Sequence, residues 1–567
     1  MPMKPLRALV SGVAIAVLCT LGAATAASAA PSVSASSRAE PVRIAIVMPM
    51  TVPDGGTGFI SAGALAAYTS PTGVLTRQLD EVIGGSVAIG IDPMILASIR
   101  VLGSTAPPSA VEWLARLEGS SNATFALGYA DSDVTAPLQA DSRAVLEPQS
   151  LEYAIDPALF APAPDATTGT STDAAGPTAV PTPTATGSPI DAPPLPTTDS
   201  LLDFPYTLPG ISWPVADTVT KRDLTRISTS GYTTTILDST NVKRSDETSA
   251  VARISSSRVL VSDSAVSALM RETVASVASD AWLDSVSRLK RSITAQAGGS
   301  TVLVTLDRTN PSGFSRLADT VSQLSSMRNT QLVSLSGLGT EPQATATIIN
   351  KAQSKGRLSA VSRLLGIERQ DARFASIAED PSLITGERRI LLLSALSPAP
   401  NRHPGGFGTS VEAFETSSRK LHQSVRLVKS SEITLLADRA SVYVAVRNDL
   451  DQPITVYVAM RPLSPLLRVE DSHVEVTVAP ESQKNGQVPV QSLSNGEVEL
   501  AVDLTSEIGV RVSPTTYVRI NVQAGWEGPT TFVIGAAVVI IFGLGIYRNI
   551  IRRRRPVRPS PELPTVE

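Results

Sequence analysis

The 567-residue sequence has one cysteine, three histidines and only 4% aromatic residues, and each shortage removes a class of chemistry. Cys19 lies in an apolar N-terminal stretch expected to be cleaved, so the mature chain has neither thiol chemistry nor disulfides. Leu18, just before it, is too bulky for lipoprotein processing. The histidines are His403, His422 and His473, all beyond the part of the chain that reads as α/β. Neither a zinc hydrolase site nor a Ser-His-Asp triad can be assembled from them. Gly55-Gly56-Thr57-Gly58 lacks the lysine and spacing of a phosphate-binding loop and reads as a turn. Scarce aromatics leave few platforms for stacking sugars, and a net charge of −4 gives no basic field for nucleic acid. No metal, no cofactor and no nucleic-acid partner are expected.

The two ends carry apolar runs. Lys4 and Arg7 precede an apolar stretch from Ala8 to Leu21 and the small residues Ala27-Ser28-Ala29, the three-part layout of a signal peptide over 1–29. Near the other end, Thr531 to Tyr547 (TFVIGAAVVIIFGLGIY) carries no charge and just reaches hydrocarbon thickness as a helix. A membrane helix is therefore expected over 529–547, with Trp526 and Tyr547 at the interfaces. Arg548, Arg552, Arg553, Arg554 and Arg555 follow, and basic residues stay on the cytoplasmic side. A single pass is expected, with the N-terminal portion extracytoplasmic and a cytoplasmic tail over 548–567.

Between the ends the composition shifts twice. From Ala161 to Ser200 the chain is rich in Pro and Thr with almost nothing large to bury, which predicts a disordered insertion. On either side, β-branched runs alternate with helix-like stretches such as Val74–Ile83, where Leu75, Leu79, Val82 and Ile83 share a face. Strands are expected at Val42–Val47, Val87–Ile91, Thr124–Leu127, Gly210–Trp213, Thr233–Leu237, Arg258–Val261, Thr301–Leu306 and Gln331–Leu335. This repetition predicts a TIM-like (β/α) barrel in two parts, 41–160 and 201–345, although an open doubly wound sheet leaves a similar trace. A helical region follows over 346–428. Past Ser430 the period falls to two, with turns at Asn448-Asp449 and Asn495-Gly496, which predicts an immunoglobulin-like β-sandwich over 430–524.

In a barrel, reactive groups sit at the C-terminal ends of strands. Asp92, Asp131, Asp133, Asp238 and Asp307 all follow expected strands, and a pair of such carboxylates is what glycoside cleavage requires. The same residues are also natural helix caps, as Asp263 is before SAVSALM and Asp92 before Pro93. Trp213, at a strand end, is the tryptophan placed to face a ligand, with a core role equally open.

Several segments together resemble an uncharacterised actinobacterial family of membrane-anchored proteins, a domain of unknown function. They are Gly90-Ile91-Asp92-Pro93, LGYADSDVTAPLQA from Leu127 to Ala140, Trp213-Pro214 followed by Leu224 and Gly231, VAVRNDLDQPITVYV from Val444 to Val458, and the terminal span with its arginines. Genes of that family often adjoin the lipid II flippase gene, so the resemblance implies a cell-envelope role but no catalytic residue. The expected protein is a non-catalytic binding or scaffold protein, with the membrane and a cell-wall glycan or envelope proteins as partners. A carbohydrate-active hydrolase using the strand-end aspartates is the alternative.

Overall fold

The computed structural model describes residues 40–161, 194–306, 308, 314–398, 406–428, 433–435, 437–522 and 527–554. The expected signal peptide, most of the Pro/Thr insertion, Asp307, Trp526 and Arg555 lie outside the described residues.

The first body is built on an 11-stranded sheet. Its strands are β1 (Val42–Met50), β2 (Ala88–Ile91), β3 (Thr124–Ala126), β4 (Ile211–Ser212), β5 (Thr234–Asp238), β6 (Val242–Arg244), β7 (Val251–Ile254), β8 (Ser257–Ser262), β9 (Thr301–Thr305), β10 (Thr330–Leu332) and β11 (Ala344–Ile348). Each expected strand has a counterpart, yet the TIM-like barrel is not what they form. A barrel of eight βα units would be wholly parallel, whereas β7 pairs antiparallel with β8, and β6 antiparallel with β11. The cause is local. Ser255 takes φ 55° and folds VARISSSRVLVS back on itself as a hairpin, at a place where a crossover helix would be needed to keep the strands parallel. Residues 344–348, which straddle the expected start of the helical region at 346, supply a further strand between β7 and β6.

Both faces of β1 are buried, as in sheets covered on two sides. Ile44, Ile46 and Met48 join one apolar cluster with the helices Pro93–Val101 and Pro108–Glu118. Ala45 and Val47 point the other way, into a second cluster with Ala88, Phe125, Ile211, Ile236, Leu260 and Leu303. Gly90 in β2 is fixed by that packing: a Cβ there would lie 2.9 Å from Leu127 Cδ2 and 3.0 Å from Phe125 Cζ.

Three helices, Lys355–Phe374, Pro381–Ala395 and Gly406–Gln423, pack on one another beside this sheet. Phe374 and Ile377 then enter the core of the second body, and Ala378 forms a bridge with Ile454. That body has two sheets around one core. One contains β12 (Val425–Val428), β14 (Arg439–Asn448), β18 (Gln483–Ser492) and β16 (Leu467–Val469). The other contains β13 (Ile433–Leu435), β20 (Thr516–Val522), β19 (Gly496–Thr505), β15 (Ile454–Pro462) and β17 (His473–Val478). Alternate residues such as Ile454, Val456, Val458 and Met460 turn inward. The immunoglobulin-like expectation is corrected with the barrel: among the described residues nine strands are present, and β13 and β20 run parallel. What stands is a pair of largely antiparallel sheets on a shared core.

The helix Glu527–Arg553 closes the described chain. Its stretch Thr530–Arg553, 24 residues with mean hydropathy 2.2 and none buried, is long and apolar enough to cross a membrane. Tyr547, Arg548, Arg552 and Arg553 all lie on it.

Candidate functional site

Parallel α/β sheets bind ligands at the carboxyl ends of their strands. A cavity of about 310 Å³ opens there, lined by Trp213 after β4, Ile236, Leu237 and Asp238 of β5, Ser262 of β8, and Thr305, Leu306 and Arg308 at and beyond β9. Arg271 reaches in from the helix Ser264–Ala275, its Nη1 donating to Thr305 O at 3.2 Å.

Of the expected aspartates that are described, only Asp238 lines this cavity. Its Oδ1 accepts from Thr240 N at 2.9 Å and Thr240 Oγ1 at 2.8 Å, capping the short turn Ser239–Asn241. Asp92 is fully buried and caps the helix Pro93–Val101 through Met94 N at 3.0 Å. Asp133 is also buried; its Oδ1 accepts from Thr135 N and Ala136 N, and its Oδ2 from Gln353 Nε2 at 2.8 Å and Arg357 Nη2 at 3.3 Å. Asp263 caps its helix through Val266 N at 2.9 Å. Helix capping accounts for these positions in terms of ordinary backbone satisfaction.

Asp131 is different. Ala130 and Asp131 both take left-handed backbone angles, φ 54° and 47°, in a fully buried turn. Such conformations cost roughly 1–2 kcal/mol per non-glycine residue and persist only where the surroundings hold them. Here the strained turn aims Asp131 Oδ1 at Arg308 Nη1, 3.2 Å away. Arg308 also donates through Nη2 to the Trp213 carbonyl, and its guanidinium stacks 4.4 Å from the centre of the Trp213 ring. Phe125 meets that ring at 6.3 Å. Trp213 thus lines the cavity and packs against the core at once, with an arginine over its ring.

The segment LGYADSDVTAPLQA is a buried polar junction. Tyr129 OH donates to Gly58 O at 2.8 Å, and burial pushes this phenol well above its ordinary pKa. Gln139 Nε2 donates to Thr218 O at 2.7 Å and Asp223 Oδ2 at 2.6 Å, while its Oε1 accepts from Gln353 N at 2.8 Å. One loop therefore connects both halves of the α/β body to the helical region.

Sequence reasoning overlooked Arg271 and Arg308, which belong to no motif; their signal was only that Arg308 follows the end of β9 and Arg271 sits on the helix that follows β8. It also overlooked a buried cluster in the helical region. Asp371 accepts from Arg388 Nε at 2.7 Å and Ser418 Oγ at 2.6 Å, and lies 2.9 Å from His422 Nε2. Burial alone would raise the Asp371 carboxyl, but the hydrogen bonds from His422 and Ser418 and the charge of Arg388 outweigh it and hold it below its ordinary pKa. Among the described residues, no group of three or more His, Cys, Asp or Glu side chains is arranged to hold a metal.

No curated protein matches the chain. Solved structures match only small parts of it. An Escherichia coli alpha-2-macroglobulin is 19% identical over 18% of this chain and 7% of its own, with a TM-score of 0.15. SSP-19, an MSP-domain protein-like family member of Caenorhabditis elegans, is 13% identical over 16% of this chain and 94% of its own, at 0.13. A PapD-like domain of human CEP192 is 8% identical over 18% and 84%, at 0.14. Likenesses this partial carry no functional reading. Residues 34–560, by contrast, match the model of a family of unknown function, DUF6049, and the chain belongs to that family.

Proposed function

We propose that the chain is a single-pass membrane-anchored protein whose extracytoplasmic α/β body binds a cell-envelope molecule, a wall glycan or another envelope protein, without cleaving it. The observation that carries this reading is the use made of the carboxylates. Glycoside cleavage needs two facing each other roughly 5–10 Å apart across a gap. Asp92 is spent on a cap, Asp133 on backbone N–H groups, Gln353 and Arg357, Asp131 is spent on Arg308, and Asp238 stands in the cavity as the one described candidate. The orientation is supported by the arginines that follow the apolar span. A cell-envelope setting is what the resemblance to flippase-adjacent proteins implies.

The test uses the full chain, purified in detergent and mixed with insoluble wall glycan from its own host. Co-sedimentation without release of reducing ends is expected. Steady release of reducing ends, abolished by Asp238→Asn, would replace the binding reading with a hydrolytic one.

A further inference from the structure

We infer that the cavity at the ends of β4, β5, β8 and β9 takes a small carboxylic acid that also carries a hydrogen-bond donor, either an amine or a hydroxyl. This rests on the reading of the same cavity as a ligand seat. Arg271 is the anion anchor. Among the described residues its guanidinium meets no carboxylate, and its one hydrogen bond runs from Nη1 to Thr305 O. The remaining N–H groups form a planar fork that matches a carboxylate with two parallel bonds. Arg308 cannot take that role, because Asp131 and the Trp213 carbonyl already engage it.

Asp238 supplies the second requirement. Its Oδ1 receives the Thr240 N–H and shares the Thr240 hydroxyl with Asp217, and no described donor meets Oδ2, which leaves that oxygen as the acceptor Asp238 offers to the cavity it lines. An acid without a donor would meet repulsion there, and an amine without an acid would meet Arg271. A molecule with both groups satisfies both side chains. Val215, Val219, Ile236, Leu237 and Leu306 form the apolar wall for its body. The volume of about 310 Å³ is at the low end for small-molecule sites, roughly 300–1,000 Å³, so one residue or one sugar ring fits, free or at the end of a larger molecule.

Two sources share this chemistry, an amino acid and a sugar acid, and titration calorimetry on the full chain in detergent separates them. The probes are leucine, glucuronate and, as a neutral control, methyl glucoside. One of the two acids is expected to bind with a single site, and Arg271→Gln to weaken it at least about tenfold, with Arg271→Lys in between because it keeps the charge and loses the fork. Asp238→Asn preserves the cap, since asparagine caps as well as aspartate. It is expected to weaken leucine about tenfold or more, because Nδ2 then replaces the charged oxygen and repels an ammonium group, and to spare glucuronate, whose hydroxyl can accept from Nδ2 instead of donating. Binding of neither acid, binding to folded Arg271→Gln as tight as to the unaltered chain, or methyl glucoside matching glucuronate would each overturn the inference. Sedimentation with wall glycan on the same preparation keeps the two readings apart. Glycan binding without acid binding sinks this inference alone, and acid binding without glycan binding sinks the envelope-binding reading alone.

Discussion

Arg308 is clamped between two partners that are far from it in sequence: its guanidinium stacks on Trp213 while Nη1 donates to the buried Asp131. The pair ties a turn before the Pro/Thr insertion to a residue after β9. Removing the carboxylate with Asp131→Ala leaves the arginine charge largely buried, which costs about 3–5 kcal/mol. Asp131→Asn is expected to cost less, because asparagine tolerates a left-handed backbone and still accepts a hydrogen bond. Urea unfolding followed by tryptophan fluorescence measures both; equal stabilities of Asp131→Ala and the unaltered chain would refute the clamp.

The Asp371 cluster makes a prediction about pH. A carboxyl whose folded pKa lies below its unfolded value of about 3.9 binds its proton more readily when unfolded. Its contribution to stability is therefore complete above about pH 4 and is lost as pH falls through the folded value. The unfolding midpoint should hold steady above about pH 4 and fall below it, and Asp371→Asn should flatten that part of the curve. At neutral pH, Asp371→Ala leaves the buried Arg388 without its partner, an expected loss of about 3–5 kcal/mol.

Gly90 tests the packing behind the cavity. A valine there would drive its branch into Phe125 and Leu127, which stand 3.0 and 2.9 Å from the nearest Cβ position. Overpacking of this kind costs about 1–3 kcal/mol. A Gly90→Val chain that melts at the temperature of the unaltered chain would show that the sheet yields more readily than its contacts suggest.

The anchor prediction concerns the helix Glu527–Arg553. Placing a charge at its centre with Val539→Arg is expected to cost about 2.5–3.5 kcal/mol of insertion. Either this substitution or truncation after Gly528 should release folded protein into the medium. Fractionation after a high-salt wash decides the matter, since truncated protein that stays with membranes would reveal a second attachment.

Strand positions were legible because β-branched runs between helix-like stretches have few other ways to bury themselves. Their pairing was not. The β7–β8 hairpin turns on Ser255-Ser256, without the glycine or asparagine that marks a left-handed turn, and β11 reads ATATI, too short and polar to stand out. Alternation in Val442–Val446 and Ile454–Met460 exposed the second body, but alternation fixes which residues face inward and not the order of strands. At the site, the rule that function gathers at strand ends picked out Trp213 and Asp238, which line the cavity. It also swept up Asp92 and Asp133, because a carboxylate at a strand-to-helix junction looks the same in sequence whether it caps or binds. The arginines were hidden because each acquires its role from a partner about 35 to 180 residues away.

The ladders of β1 with β9 and β10 join residues 42–47 to residues 301–305 and 330–332, so the segments before and after the insertion are interleaved in one sheet. A chain cut within residues 162–193 consequently yields two fragments that are each missing their central neighbours. The pairing of β1 with β9 and β10 is expected to hold them together as a non-covalent pair, and neither is a domain in its own right. Proteolytic processing in that stretch would change the number of polypeptides without dismantling the cavity, whose Arg308–Asp131 contact already spans the cut.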